Sequence, residues 1–184
     1  TQDALYDRGE GCGCLSKQTG RSYSSDGTLL CETETWDVCI YDGGWGGPKP
    51  PKDIVEMPDR APDAVVEETM PLNMPLIYRL MGDWHQQHID FAYTEQTGLA
   101  RPIAHGVSLG GFTMRHIISS FFPGEPERMK RFKTRITSPV LPGTTLQTRM
   151  WKVGDNEIRF QLVDADADET GAKPHLNFGI CEWE

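Results

Sequence analysis

Residues 105–124 read His105-Gly106-Val107-Ser108-Leu109-Gly110-Gly111-Phe112-Thr113-Met114-Arg115-His116-Ile117-Ile118-Ser119-Ser120-Phe121-Phe122-Pro123-Gly124. Apolar side chains recur at helical spacing from 107 to 122, and Pro123-Gly124 stops the run. This predicts a long apolar helix. Gly110-Gly111 in its interior costs about 1 kcal/mol per glycine, so close packing against another element is expected there. Downstream, 131–140, 144–153, 157–164 and 173–183 read as four β segments. Pro142-Gly143, Gly154-Asp155-Asn156 and 167–171 separate them. Upstream, Val65-Val66-Glu67-Glu68-Thr69 reads as a short strand. A short helix with Pro75 in its first turn then ends at Leu80, 82–90 is irregular, and a helix over 91–96 stops at Gly98. One strand, a long helix and four strands make an α+β fold, an antiparallel sheet wrapped around a central helix.

A second β-rich segment precedes this one. Residues 11–19 and 28–40 read as a hairpin turning at Ser24-Ser25-Asp26-Gly27. Asp42-Gly43-Gly44-Trp45-Gly46-Gly47-Pro48-Lys49-Pro50-Pro51 can be neither helix nor central strand and reads as a break between two units. A length of 184 residues suits one domain or two small ones. The net charge of −9 argues against nucleic acid and anionic membrane as partners. There is no apolar run of the roughly 18 residues a spanning helix needs. The cysteines Cys12, Cys14, Cys31, Cys39 and Cys181 are odd in number and form no CxxC pair. Reduced thiols, no structural zinc and an intracellular compartment are therefore expected. If 11–19 is one strand, Cys12 and Cys14 share a face of it, too far apart for a relaxed disulfide.

The densest polar group is Tyr78-Arg79-Leu80-Met81-Gly82-Asp83-Trp84-His85-Gln86-Gln87-His88-Ile89-Asp90. It lies between two predicted helices, where rigid elements can hold catalytic groups on a loop. Asp83 and His88 could face one water from two sides, a neutral imidazole accepting its proton. The competing reading is a helix cap plus a surface imidazole. His105-Gly106 sits at the start of the long helix, whose first amides are unpaired and partly positive, suitable for an oxyanion. Trp84 reads as pocket wall or core. Arg128, Lys130, Arg131, Lys133 and Arg135 form a basic cluster, either a solvated strand face or an attractor of phosphates, and Arg101 is a second phosphate candidate or a partner for Asp90. Asp164, Asp166, Asp168 and Glu169 read as an exposed acidic turn rather than a calcium loop.

Three segments together carry a family resemblance. Tyr78-x-Leu80-x-Gly82-Asp83-x-x-x-x-His88-x-Asp90 with Gly98-Leu99-x-Arg101-Pro102-Ile103-x-His105-Gly106 resembles the signature of type 2, (R)-specific enoyl-CoA hydratases, the MaoC-like dehydratases. Ser138-Pro139-Val140-x-Pro142-Gly143-x-Thr145-Leu146-x-Thr148-x-Met150-Trp151-Lys152 resembles the strand pair that follows in that family, and Asp42 to Gly47 its glycine-rich segment. The resemblance implies a hotdog fold. Residues 64–184 would be one complete, catalytic hotdog and 53–63 a linker. Residues 1–52 would be only the closing strands of a preceding, non-catalytic hotdog whose first half is missing, so the chain is expected to pair with that half or with another hotdog chain.

By the same resemblance Asp83 and His88 are the catalytic pair, Gly106 offers its backbone N–H to the thioester oxygen, and Trp84, Asp90, Arg101 and His105 bind substrate or support the site. The implied reaction is addition of water to an enoyl thioester, or its removal from a 3-hydroxyacyl thioester. No metal and no cofactor are expected, coenzyme A or a carrier protein arriving as part of the substrate. The cytoplasm or the peroxisome is the expected compartment, with no targeting signal visible. The sequence departs from the family at His85, Gln86 and Gln87, where Asn, Pro and an aliphatic residue are usual, and at Met81. His85 thereby becomes a possible additional acid or base. Two other functions stay open: a repurposed dehydratase, isomerase or cyclase on a polyketide-like compound, and a non-catalytic hotdog kept for assembly or binding.

Overall fold

In a computed structural model residues 1–166 and 173–184 are described, and they form two compact units, Thr1–Ile54 and Val55–Glu184. Asp168, Glu169 and most of the separator expected at 167–171 lie outside the described residues. In the first unit β1 (Gln2–Asp7), β2 (Cys14–Tyr23) and β3 (Leu29–Cys39) form an antiparallel sheet in the order β1-β2-β3. The hairpin is the expected one, with Gly27 in the turn at φ +88°. β1 is an addition. It is short and largely polar, and its order comes from pairing with β2 and from Tyr6 stacking on Trp36 at 5.5 Å. Cys12 lies in the turn before β2 rather than on it, so it shares no strand face with Cys14. Cys14 instead stands opposite Cys39, and all five thiols are free.

The glycine-rich segment folds back inside this first unit. The buried Asp7 carboxylate accepts hydrogen bonds from the amides of Gly9 (2.8 Å), Gly44 (2.8 Å) and Gly46 (2.7 Å). These donors, the Gly44 amide first, hold the Asp7 carboxyl down at about 2. A Cβ at Gly43 would sit 2.3 Å from the Gly9 carbonyl oxygen, so only glycine fits there.

The second unit runs β4 (Ala64–Thr69), α1 (Met74–Arg79), a 3-10 turn over Gln86–His88, α2 (Phe91–Gln96), α3 (Gly106–Phe121), β5 (Met129–Ile136), β6 (Thr145–Gly154), β7 (Glu157–Asp164) and β8 (Leu176–Trp183). Its five strands are antiparallel in the order β4-β6-β7-β8-β5. The period-2 pattern buries alternate residues, Leu146, Thr148 and Met150 on β6 and Ile158, Phe160 and Leu162 on β7. α3 lays Leu109, Phe112 and Ile117 into the same core. Fully burying one such side chain contributes about 1.5–3 kcal/mol.

Two expectations are corrected here. A Cβ at Gly110 would meet Phe132 at an ordinary 3.7 Å and one at Gly111 would meet nothing within 4 Å, so neither glycine is forced by close packing. The basic cluster is largely ion-paired, Arg128 with Glu125 (2.9 Å), Lys130 with Glu184 (3.3 Å) and Arg131 with Glu182 (2.8 Å). Irregular register between Lys133 and Arg135 also breaks the single face expected for Arg131, Lys133 and Arg135. No helix among the described residues is long and apolar enough to cross a membrane.

Candidate active site

The site is assembled where two loops meet the start of α3. After α1 the chain reverses at Gly82, whose φ of +112° suits glycine, and releases Asp83. The 3-10 turn then ends on His88, and Asp90 caps α2 by accepting from the amides of Ala92 (2.9 Å) and Tyr93 (3.2 Å). The loop after α2 brings Ile103, His105 and Gly106 back against His88.

His88 is buried, and its Nδ1 lies 2.8 Å from the Ile103 carbonyl oxygen. Only N–H can serve that acceptor, so the neutral ring keeps its lone pair on Nε2. The Gln87 carboxamide donates to Nε2 at 3.2 Å. His105 is buried beneath, its ring stacked on His88 at 3.7 Å. The His105 Nε2–H donates to the Asp83 carbonyl oxygen at 3.3 Å, leaving buried Nδ1 without a partner among the described residues. Burial first, and then the neighbouring His88, pushes the His105 pKa below its ordinary value, which keeps the ring neutral.

One ligand atom from each of Asp83, His88 and His105 falls within a 4.8 Å cluster. Such a trio invites a metal. The two imidazoles are stacked 3.7 Å apart with only 24° between their planes, however, so their lone pairs lie in separate, nearly parallel planes, a poor geometry for meeting on one ion. The arrangement favours a small polar group held between carboxylate and imidazole.

A cavity of about 650 Å³ opens on these groups, lined by Asp83, Gln87, His88 and Gly106, with Leu99 and Ile136 among its apolar walls. The first-turn amides of α3 have no intrahelical carbonyl to meet and carry the positive end of the helix dipole. A Cβ at Gly106 would lie 2.7 Å from the Ile136 side chain, so glycine keeps this helix start open to the cavity.

The structure brings Asp83, His88, His105 and Gly106 together and places other expected residues elsewhere. His85 is exposed and outside the lining. Its Nδ1 accepts the Gln87 amide at 3.3 Å, capping the 3-10 turn, and its ring stands edge-on to His88 with centroids 6.1 Å apart. Trp84 is neither core nor cavity wall. It is 67% exposed, with the Arg79 guanidinium 4.8 Å above its ring. Arg101 is exposed, outside the lining, and forms no ion pair with Asp90 among the described residues. Gln87 was noticeable in the sequence only as a departure from the family pattern, because the contact of its amide with His88 depends on the 3-10 turn. Asp164 is not merely a surface acid, since it pairs with His175 at 2.9 Å. His175 was missed because its partners come from other strands.

A sequence-family model described as "MaoC like domain" matches residues 53–172, well over half of the chain. The chain belongs to the MaoC-like dehydratase family. Its relatives in that family include the peroxisomal multifunctional enzyme type 2 of Mus musculus, 38% identical over 155 residues, which are 83% of this chain and 21% of that protein. The probable enoyl-CoA hydratase 2 of Dictyostelium discoideum is 36% identical over 160 residues, 85% of this chain and 54% of that one. This MaoC-like chain therefore spans between a fifth and about half of these relatives. Among solved structures, a MaoC-like dehydratase from Phytophthora capsici superposes with a TM-score of 0.86 at 29% identity, covering 98% of this chain and 61% of that one. The full-length peroxisomal multifunctional enzyme type 2 of Drosophila melanogaster gives 0.85 at 28% identity, over 100% of this chain and 32% of that one. The α+β hotdog architecture read from the sequence is the one these structures share with the chain.

Proposed function

We propose that this MaoC-like chain is a hydro-lyase that adds water across C2–C3 of an enoyl thioester, or removes it from the 3-hydroxyacyl thioester, through Asp83 and His88. The observation that carries the reading is the single cavity holding the Asp83 carboxylate, the His88 Nε2 lone pair and the Gly106 helix start together. The names of the relatives, hydratases among them, point the same way. In hydration, water displaces the Gln87 amide from His88 Nε2 and donates a hydrogen bond to the Asp83 carboxylate through the hydrogen it keeps. Water oxygen bonds to C3 as its proton passes to His88, and the C2–C3 π pair moves toward the thioester oxygen. The α3 amides at Gly106 stabilise that enolate. The His88 imidazolium, steadied by Asp83, returns the proton to C2 on the same face. Neutral His88 is restored, and H and OH have been added to one side of the substrate.

Coenzyme A or a carrier protein supplies the thiol of the substrate, no separate cofactor or metal is needed, and pairing with another hotdog unit completes the assembly. The peroxisome is the favoured compartment. His85 spends its Nδ1 on the turn, which weighs against its serving as a further acid or base and hence against the repurposed reaction on a polyketide-like compound.

The test is crotonyl-CoA hydration by the wild type, Asp83→Asn and His88→Ala. Loss of general acid–base groups predicts falls of about 10²–10⁴-fold. Rates unchanged in both variants would overturn Asp83 and His88 as the catalytic pair, and no turnover even by the wild type would leave a non-catalytic binding module as the reading.

A further inference from the structure

Ser138, His175 and Asp164 form one continuous chain of hydrogen bonds that meets the cavity wall at Ser138. Ser138 follows β5, His175 precedes β8 and Asp164 ends β7. Because β8 lies between β7 and β5, the topology sets the three side by side. Ser138 Oγ is 2.8 Å from His175 Nδ1, and His175 Nε2 is 2.9 Å from Asp164 Oδ1. His175 is buried, and its backbone is fixed on both sides, N–H to Leu162 O (2.8 Å) and C=O from Thr137 N (2.9 Å).

With the Nε2–H held by the carboxylate, a neutral His175 presents its lone pair at Nδ1, toward the serine hydroxyl. Ser138 Oγ is also 3.0 Å from the Pro174 carbonyl oxygen, which already accepts the Thr137 hydroxyl. A carbonyl has two lone pairs, so the single serine hydrogen has two acceptors in reach, and His175 Nδ1 at 2.8 Å is the nearer of them. Hydroxyl, imidazole and carboxylate stand in the order of an activated serine, with the two ring nitrogens exchanged relative to the usual arrangement. Ser138 lines the same cavity as Asp83, His88 and Gly106, and water addition makes no use of it.

We infer that Ser138 is a nucleophile toward the thioester carbonyl, giving this cavity a thioester-hydrolase activity beside water addition. The substrate class rests on the reading above that the cavity takes acyl thioesters. In the first step the Ser138 proton passes to His175 Nδ1 and Oγ bonds to the thioester carbonyl carbon. The oxyanion so formed is stabilised by the amides that begin α3. Collapse breaks the C–S bond, and the thiol leaves with the proton from His175. Water then attacks the acyl-serine, its proton passing through His175 back to Oγ. A thioester and one water become a carboxylic acid and a thiol, with no oxidant or reductant required.

Two readouts on the full chain test this. A fluorophosphonate probe, which needs an activated serine but no thioester, is expected to add its mass to the peptide containing Ser138. Labelling should vanish in Ser138→Ala and fall at least tenfold in His175→Gln. Butyryl-CoA, which is saturated and cannot be hydrated, is expected to release thiol, with a loss of at least a hundredfold in Ser138→Ala. Ser138→Cys, nearly isosteric, should keep thiol release and lose it on alkylation, which guards against misfolding of the alanine variant. An unlabelled Ser138, or equal thiol release from wild type and Ser138→Ala, overturns the nucleophile and leaves the hydratase reading untouched. A labelled Ser138 with no thiol release overturns the thioester as its substrate, and a simultaneous failure to hydrate crotonyl-CoA would trace that result to the cavity assignment itself.

Discussion

On β6 and β7 of the second unit, alternate side chains disappear into a core shared with α3, while on β3 of the first unit nearly every side chain stays exposed. Both strand sets have good β-formers, and both pair antiparallel with one register shift near the end of the pair. The difference is what they pack against. β6 and β7 meet a 16-residue helix whose Leu109, Phe112 and Ile117 fill their pleats. The first unit has no helix, and besides strand pairing and the Tyr6–Trp36 stack its order rests on polar devices: the Asp7 carboxylate gathering glycine amides, Lys17 on Glu34 at 2.8 Å, and Arg21 on Glu32 at 2.7 Å. Strand pairing can thus be achieved without a core, but a cavity walled by packed elements needs one, and the candidate site lies in the unit that has it.

The largest expected effect tests this contrast directly. Phe160 is fully buried and stacked on Phe132 at 4.9 Å. Phe160→Ala is expected to cost about 3–5 kcal/mol, from lost burial plus a residual cavity. Leu30 on β3 is 66% exposed, and Leu30→Ala is expected to stay within about 0.5 kcal/mol. Urea unfolding followed by peptide-resolved hydrogen exchange reads each unit separately. A comparable loss from Leu30→Ala would show that the first unit has a core after all and would break the comparison.

The parts of the fold that were legible in the sequence are those that repeat locally. α3, β4 and the run from β5 to β8 announce themselves by apolar period and by Gly/Pro punctuation, and the loop carrying Asp83 and His88 by its density of polar groups. What escaped depends on distant partners. β1 is too short and polar to stand out before β2 pairs with it. Asp7 reaches glycines 37 and 39 residues away. His85 looked like a spare acid or base because a capping imidazole and a catalytic one are the same residue type, and only the backbone at Gln87 separates them. Ser138 and His175 lie 37 residues apart and meet only because β5 and β8 are neighbours.

The next effect separates the units by pH. All five histidines lie in the second unit. Burial holds the His105 pKa below 6.5 in the folded state, so below pH 6.5 the unfolded chain binds the extra proton and the folded one does not. Stability of the second unit should therefore start to fall as pH drops through 6.5, and His105→Asn should flatten that slope. Asp7 behaves differently. Its folded pKa of about 2 lies under the ordinary 3.8, so its contribution is complete above about 4 and is lost as pH falls toward 2. Hydrogen exchange at stepped pH should show the second unit loosening first. If the first unit loosens between pH 6.5 and 5, the assignment of its order to Asp7 is wrong.

The smallest expected effect concerns the pairs on the exposed face of the first sheet. Arg21 and Glu32 stand directly opposite each other in register, and both are about half exposed. Solvent screening and the entropy of holding two long side chains limit such a pair to about 0.2–1 kcal/mol. A double-mutant cycle with Arg21→Ala and Glu32→Ala should return a coupling in that range, fading in 1 M salt, where the Debye length shrinks to about 3 Å. A salt-insensitive coupling above about 2 kcal/mol would mean that the pair is shielded from water in the folded protein. The first sheet would then owe its order to a covered face, as the second does, and the distinction between a polar-anchored and a core-anchored sheet would fail at the pair chosen to represent it.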